Sequence, residues 1–161
     1  MKSSPWLLVA ARVVGAFLVH GAGFILVVCS LELLGQPVHL LWLPATLPAW
    51  AGLMGFAYAC ALALAMANVF VRDLQQIVQY LLSASMFLAP VLYSRDRVPE
   101  LLADWISLNP LTGFVESIRD PLLLRTLPAD SSVIAAAAIL VSALVARLMY
   151  RRVQRHLVDF L

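Results

Sequence analysis

Arg72, Asp73, Gln76, Gln79 and Ser83 place an adjacent pair of opposite charges, two amides and a hydroxyl at the head of an otherwise apolar run. Gln76, Gln79 and Ser83 follow one another at intervals of three and four, a spacing that lines up on one face of a helix. Hydrocarbon rejects such a stripe, so it faces either a neighbouring helix or a water-filled path, and spacing alone divides these two evenly. Asp73 and Gln76 also have the spacing of a capping box, in which an acidic side chain satisfies early helical N–H groups and the glutamine reaches back. Arg72 would then anchor the segment at the membrane interface. Capping leaves Gln79 and Ser83 unexplained.

The elements that must carry these residues are membrane helices. Of 161 residues, 63% are hydrophobic and only 12% charged, and mean hydropathy is +0.92, well outside the range of a soluble domain. The net charge of +2 is too small for nucleic acid, and the basic residues gather at the ends of apolar segments instead of along one face. Lys2 is the only lysine, so no glycine-rich phosphate loop ending in Lys-Ser/Thr exists and the chain cannot hydrolyse ATP by that route. Cys29 and Cys60 fall in separate apolar runs and make neither a zinc cluster nor a disulfide; no metal site is expected.

Apolar runs of about 20 residues, the length that crosses a bilayer, occur at about 13–34, 48–70, 74–93 and 132–150. The first resembles a signal peptide only superficially, because Arg12 interrupts it and the apolar run that follows is long enough to span. The expected fold is all-α: a polytopic helical bundle of about four spans in a single domain over residues 1–161. Lys2, Arg12, Arg72, Arg147, Arg151, Arg152 and Arg155 fall on the side that holds both termini, whereas in segment 94–131 four arginines are outnumbered by six acids. The positive-inside rule makes the arginine-rich side cytoplasmic.

Within the second span, Ala57, Ala61 and Ala65 form one row and Ala59, Ala63 and Ala67 another, the small-residue pattern that lets helix backbones approach. Glu32 and Asn68 lie near span ends, where water reaches them; His20 lies deeper and reads as a hydrogen-bonded packing residue. Between the third and fourth spans a helical hairpin is expected at about 98–121, on or dipping into the outer leaflet. Pro99 and Glu100 suit the start of its first helix, with Leu101, Leu102, Trp105 and Ile106 as the apolar face. Asn109 and Pro110 turn the chain. A second short helix then carries Phe114, Val115 and Ile118 on its apolar face, keeps Glu116, Arg119 and Asp120 polar and ends by Pro121.

Arg72-Asp73 ahead of a span, the end of that span at Pro90 and Tyr93, Val98-Pro99-Glu100, then Leu108-Asn109-Pro110-Leu111-Thr112 and on to Glu116 and Arg119 resemble the C-terminal half of a polysaccharide-exporting ABC-2 type permease. These are the membrane subunits that export O-antigen, capsule or teichoic acid chains. The order and spacing across residues 72–119 carry the resemblance; elsewhere it is one of hydropathy. It implies a multi-pass protein of the bacterial cytoplasmic membrane that acts as a dimer of permease copies with a separate ABC ATPase. The cofactors, ATP and Mg, would then be held by that partner. It further implies coupling to the ATPase through Arg72 and Asp73 and a gate containing Pro99, Glu100, Trp105, Asn109, Pro110, Glu116 and Arg119. The translocation path would be bordered by Gln76, Gln79, Tyr80, Ser83 and Phe87, with Tyr80, Phe87 and Trp105 offering faces on which sugar rings stack. Family members have six spans and an N-terminal amphipathic helix, of which the last four spans and the gate are present; a fragment or truncated frame is one explanation.

Two other function classes compete. A membrane enzyme on lipid-linked sugars would use Asp96, Glu100, Asp104 or Glu116 as acid or base, but no acid pair with a partnering histidine supports it, and no catalytic residue is assigned. A non-transporting structural bundle is the third. Within transport, an exporter of drugs or lipids is the alternative to a polysaccharide or lipid-linked glycan.

Overall fold

The computed structural model describes residues 5–71, 73–89 and 106–158. The described residues form helices and connecting turns. Helix α1 covers Pro5–Leu33 and α2 covers Leu43–Ala67, with a 3-10 turn at Leu40–Trp42 between them. Then come α3, Leu74–Leu88, α4, Pro110–Leu124, and α5, Ala129–Val158. Three of these stretches, Trp6–Leu33, Leu40–Ala67 and Ala129–Arg152, are long and apolar enough to cross a bilayer. The protein is thus a helical membrane bundle. The 15 described residues of α3 are about 22 Å long at 1.5 Å per residue, short of a full crossing.

Helix α1 begins at Pro5, ahead of the apolar run, so Arg12 sits on its exposed surface instead of before it. It ends in a Schellman motif. Gly35 takes φ 68°, its N–H reaches the Glu32 carbonyl and the Gln36 N–H reaches the Leu31 carbonyl, both at 3.0 Å. A left-handed residue at this position is what glycine supplies without steric cost.

Helix α2 is the hub, packed against α1, α4 and α5. Of its alanine rows Ala59 is buried and Ala65 is exposed; Ala135 and Ala146 are buried on α5, the helix with which α2 shares its most extensive contact. Trp50 of α2 stacks edge-on against Phe17 and Phe24 of α1, with ring centres 5.9 and 5.1 Å apart. At the end of the bundle that holds the start of α1 and the finish of α5, Trp6 meets Tyr150 at 4.3 Å. Helices α2 and α5 therefore run parallel to each other and antiparallel to α1. His20, expected to be packed, lies on the exposed surface of α1. Both cysteines are free thiols.

The hairpin is described only in part. Its first helix falls outside the described residues apart from 106–108, which are helical. Its second helix, α4, enters the bundle. Phe114 is 2% exposed and its ring sits 5.5 Å from that of Phe56, midway along α2, so α4 starts near the middle of the bundle and climbs toward the α1–α2 connection. There the Leu122 carbonyl accepts the His39 N–H at 2.8 Å. The helix also runs through Pro121, which lacks the N–H that would reach the Ser117 carbonyl, and stops at Leu124 with Arg125 in a left-handed conformation, φ 56° and ψ 32°.

Candidate functional site

Beginning a helix inside a membrane leaves early N–H groups without water to satisfy them, so non-helical backbone at that depth must find protein partners. Asn109 supplies them. It is the N-cap of α4, its Oδ1 accepts the Leu111 N–H at 3.0 Å, and its Nδ2 donates to the Ser85 carbonyl of α3 at 3.1 Å. Pro110 follows at the first helical position, where its missing N–H costs nothing. One side chain thus caps α4 and ties down the far end of α3. Asn109→Ala should lose about 1 kcal/mol from the cap alone and release α3 as well. Expected is a lower melting temperature together with faster hydrogen exchange at residues 83–89; an unchanged exchange pattern would mean the link to Ser85 is incidental.

Helix α3 touches the remainder of the bundle chiefly through α4, where Ala89 is 2% exposed. Its polar stripe points away from the chain: Gln76, Gln79, Tyr80 and Ser83 are all exposed, and the Ser83 hydroxyl donates to the Gln79 carbonyl at 2.9 Å. Asp73 is the N-cap residue of α3, but the capping box does not form, since its side chain makes no cap hydrogen bond. Its backbone, φ −88° and ψ 3°, is outside the extended region from which an N-cap carboxylate reaches the N2 and N3 amides. Gln75, overlooked in the sequence because it lies off the stripe, lines a cavity of about 310 Å³ between α2 and α3 with Ala61, Leu64, Asn68 and Val78. Arg72, Pro99, Glu100 and Trp105 lie outside the described residues, as does the side chain of Phe87.

The gate-region acids occupy unexpected positions. Glu116 and Asp120, read as polar residues off the apolar face of this helix, are 3% and 8% exposed. The Ser131 hydroxyl, at the start of α5, donates to Glu116 Oε2, and the Ser117 and Ser132 hydroxyls lie 3.2 Å apart. Arg119 Nε donates to Asp120 Oδ1 at 2.9 Å. Thr112, Glu116 and Asp120 recur every four residues, so this buried polar ridge has helical periodicity, and Ser131-Ser132 supplies hydroxyls opposite it. Charged groups at this depth are expensive unless hydrogen-bonded; Ser131 meets that need for Glu116 and Arg119 for Asp120. The ridge can therefore hold α4 against α5 in a defined register.

A family model described as ABC-2 type transporter matches residues 1–123, the stretch from α1 through α4. Over 72 residues the chain is 31% identical to the O-antigen export system permease protein RfbA of Klebsiella pneumoniae, a match that takes in 45% of this chain and 28% of that protein. The matched stretch thus spans little more than a quarter of that relative's length. An all-helical membrane bundle whose inner helix α4 is capped at mid-depth by Asn109-Pro110, and whose first 123 residues fit the family model, belongs to the ABC-2 type transporter family.

Proposed function

We propose that the chain is the membrane-spanning permease part of an ABC exporter that moves a polysaccharide or lipid-linked glycan across the bacterial cytoplasmic membrane, driven by ATP hydrolysis in a separate subunit. The observation that carries this reading is the outward polar stripe of α3. Transferring an amide from water to an apolar environment without a compensating hydrogen bond costs roughly 2–7 kcal/mol, so Gln76 and Gln79, both exposed on the chain, need water, sugar hydroxyls or a second protein surface beside them. A path between two permease copies provides all three, with the exposed Tyr80 ring as a face on which a sugar stacks.

Family membership supports an ABC ATPase as the partner. The likeness to an O-antigen export permease supports the glycan. The exposed Arg12, Arg147, Arg151 and Arg152, near the end where Trp6 meets Tyr150, support a cytoplasmic location for that end and both termini. The turn holding Arg72 and Asp73 then faces the ATPase and Glu116, Arg119 and Asn109 shape the far gate.

The test is twofold. A partner carrying its own nucleotide site should co-purify with the permease, and a solitary, ATP-independent sugar-modifying activity would overturn the transporter reading. Arg72→Ala with Asp73→Ala should insert at the normal level yet lower export, measured as surface glycan; undiminished export would reduce the pair to an interfacial anchor.

A further inference from the structure

The connection between α1 and α2 closes a pocket of about 410 Å³ lined by Glu32, Val38, His39, Leu40, Leu41 and Trp42, with Arg125 completing it from the end of α4. Opposite charges thus face one cavity. Among the described residues neither Glu32 nor Arg125 lies within ion-pair distance of an opposite charge. Glu32 occupies the last turn of α1, where the helix dipole disfavours an acid. Arg125 takes a left-handed backbone conformation, φ 56°, a common way for a helix to end, and that turn carries its side chain to the pocket.

The cavity wall is fixed. Val28, Val38 and Leu122 form a buried apolar cluster beneath it, the His39 N–H is bonded to the Leu122 carbonyl at 2.8 Å, and the Gly35 Schellman turn sets the exit from α1. Its level is also fixed: Glu32 lies at the end of one membrane-crossing stretch and Leu40 opens the next, so the pocket sits at headgroup depth. Leu41, 95% exposed, lines it as an acyl-chain neighbour, and a tryptophan at this level suits the interface.

We propose that this pocket binds the phosphoethanolamine headgroup of a zwitterionic phospholipid. The Arg125 guanidinium, a planar fork, takes the phosphate oxygens in a charge-assisted pair while the Glu32 carboxylate accepts N–H bonds from the primary ammonium. Trp42 adds a ring face for the same cation. A choline headgroup fills the space but has no N–H to donate, and a glycerol headgroup offers Glu32 no cation. The site stands apart from α3 and holds whether or not the chain exports glycan.

The test is native mass spectrometry of the full chain incubated with equal amounts of phosphatidylethanolamine, phosphatidylcholine and phosphatidylglycerol. Expected is retention of the ethanolamine lipid about tenfold over the glycerol lipid, the size of one lost charge-assisted bond, with the choline lipid between them. Glu32→Gln should erase the preference for ethanolamine over choline, and Arg125→Gln should weaken retention of all three. Both residues are exposed, so these variants keep the fold. Equal retention of the three lipids, or wild-type ratios in both variants, would overturn the assignment.

Discussion

Replacing Gln76 and Gln79 together by leucine should lower glycan export about 10- to 30-fold without reducing the amount of inserted protein, since two neutral hydrogen bonds at about 1 kcal/mol each amount to that factor in rate. Both amides are exposed on α3, so neither substitution opens a cavity within the chain. What the change removes is the ability of that face to bind hydroxyls or hold water. The experiment also separates the two roles that spacing leaves open. If the glutamines pair with a neighbouring helix, leucine should loosen a permease dimer, visible as a lower melting temperature or a shift to monomer on size-exclusion chromatography. If they border a path, oligomeric state and melting temperature stay level and export alone falls. Full export with unchanged stability would show that this flank faces neither sugar nor water, and the proposed route along α3 would fail.

The long apolar helices were legible because hydropathy and length suffice to specify a membrane helix; α1, α2 and α5 need nothing else. The alanine rows of α2 were legible for a similar reason, since backbone approach depends on side-chain size at intervals of four. The burial of the polar residues of α4 was not. Its sequence supports two faces, one of Phe114, Val115 and Ile118 and one of Thr112, Glu116 and Asp120, and on general hydrophobic grounds the second belongs in water. Here both acids are buried along with Phe114: Glu116 because Ser131, fifteen positions on, donates to its carboxylate, and Asp120 beside the guanidinium of Arg119. Glu116 can turn inward only because its partner exists, and that partner sits on a different helix. The bond from Asn109 to the Ser85 carbonyl spans 24 positions, and the pocket shared by Glu32 and Arg125 joins three separate segments. Periodicity reports on one helix at a time and is silent about such meetings. The Asn109-Pro110 turn itself could be read correctly, because a cap and a first-turn proline are local chemistry.

Gly113→Ala should destabilise the fold by about 1–3 kcal/mol, the range for overfilling a packed site, although alanine is the better helix former by about 1 kcal/mol. The reason is what the added methyl would meet. A Cβ at residue 113 would stand 2.5 Å from the Ser131 carbonyl oxygen and 3.3 Å from both the amide nitrogen and Cβ of Ala135. Backbone in the first turns of α5 cannot rotate aside as a side chain can, so α4 and α5 must move apart. Glu116 lies one turn along the same face, and its bond from Ser131 would stretch, leaving a buried carboxylate poorly satisfied. Gly52→Ala is the matched control. There the nearest atom is the Ile139 Cδ1 at 3.0 Å, with Phe114 Cε1 at 3.4 Å, and the tip of an isoleucine can swing away, so that variant should melt within a few degrees of the parent. Melting temperatures in detergent, read by tryptophan fluorescence, decide the matter. Equal loss in both variants would mean that glycine content alone governs packing here; no loss at residue 113 would mean that α4 does not approach α5 this closely, and the buried ridge of Glu116 and Asp120 would lose its support.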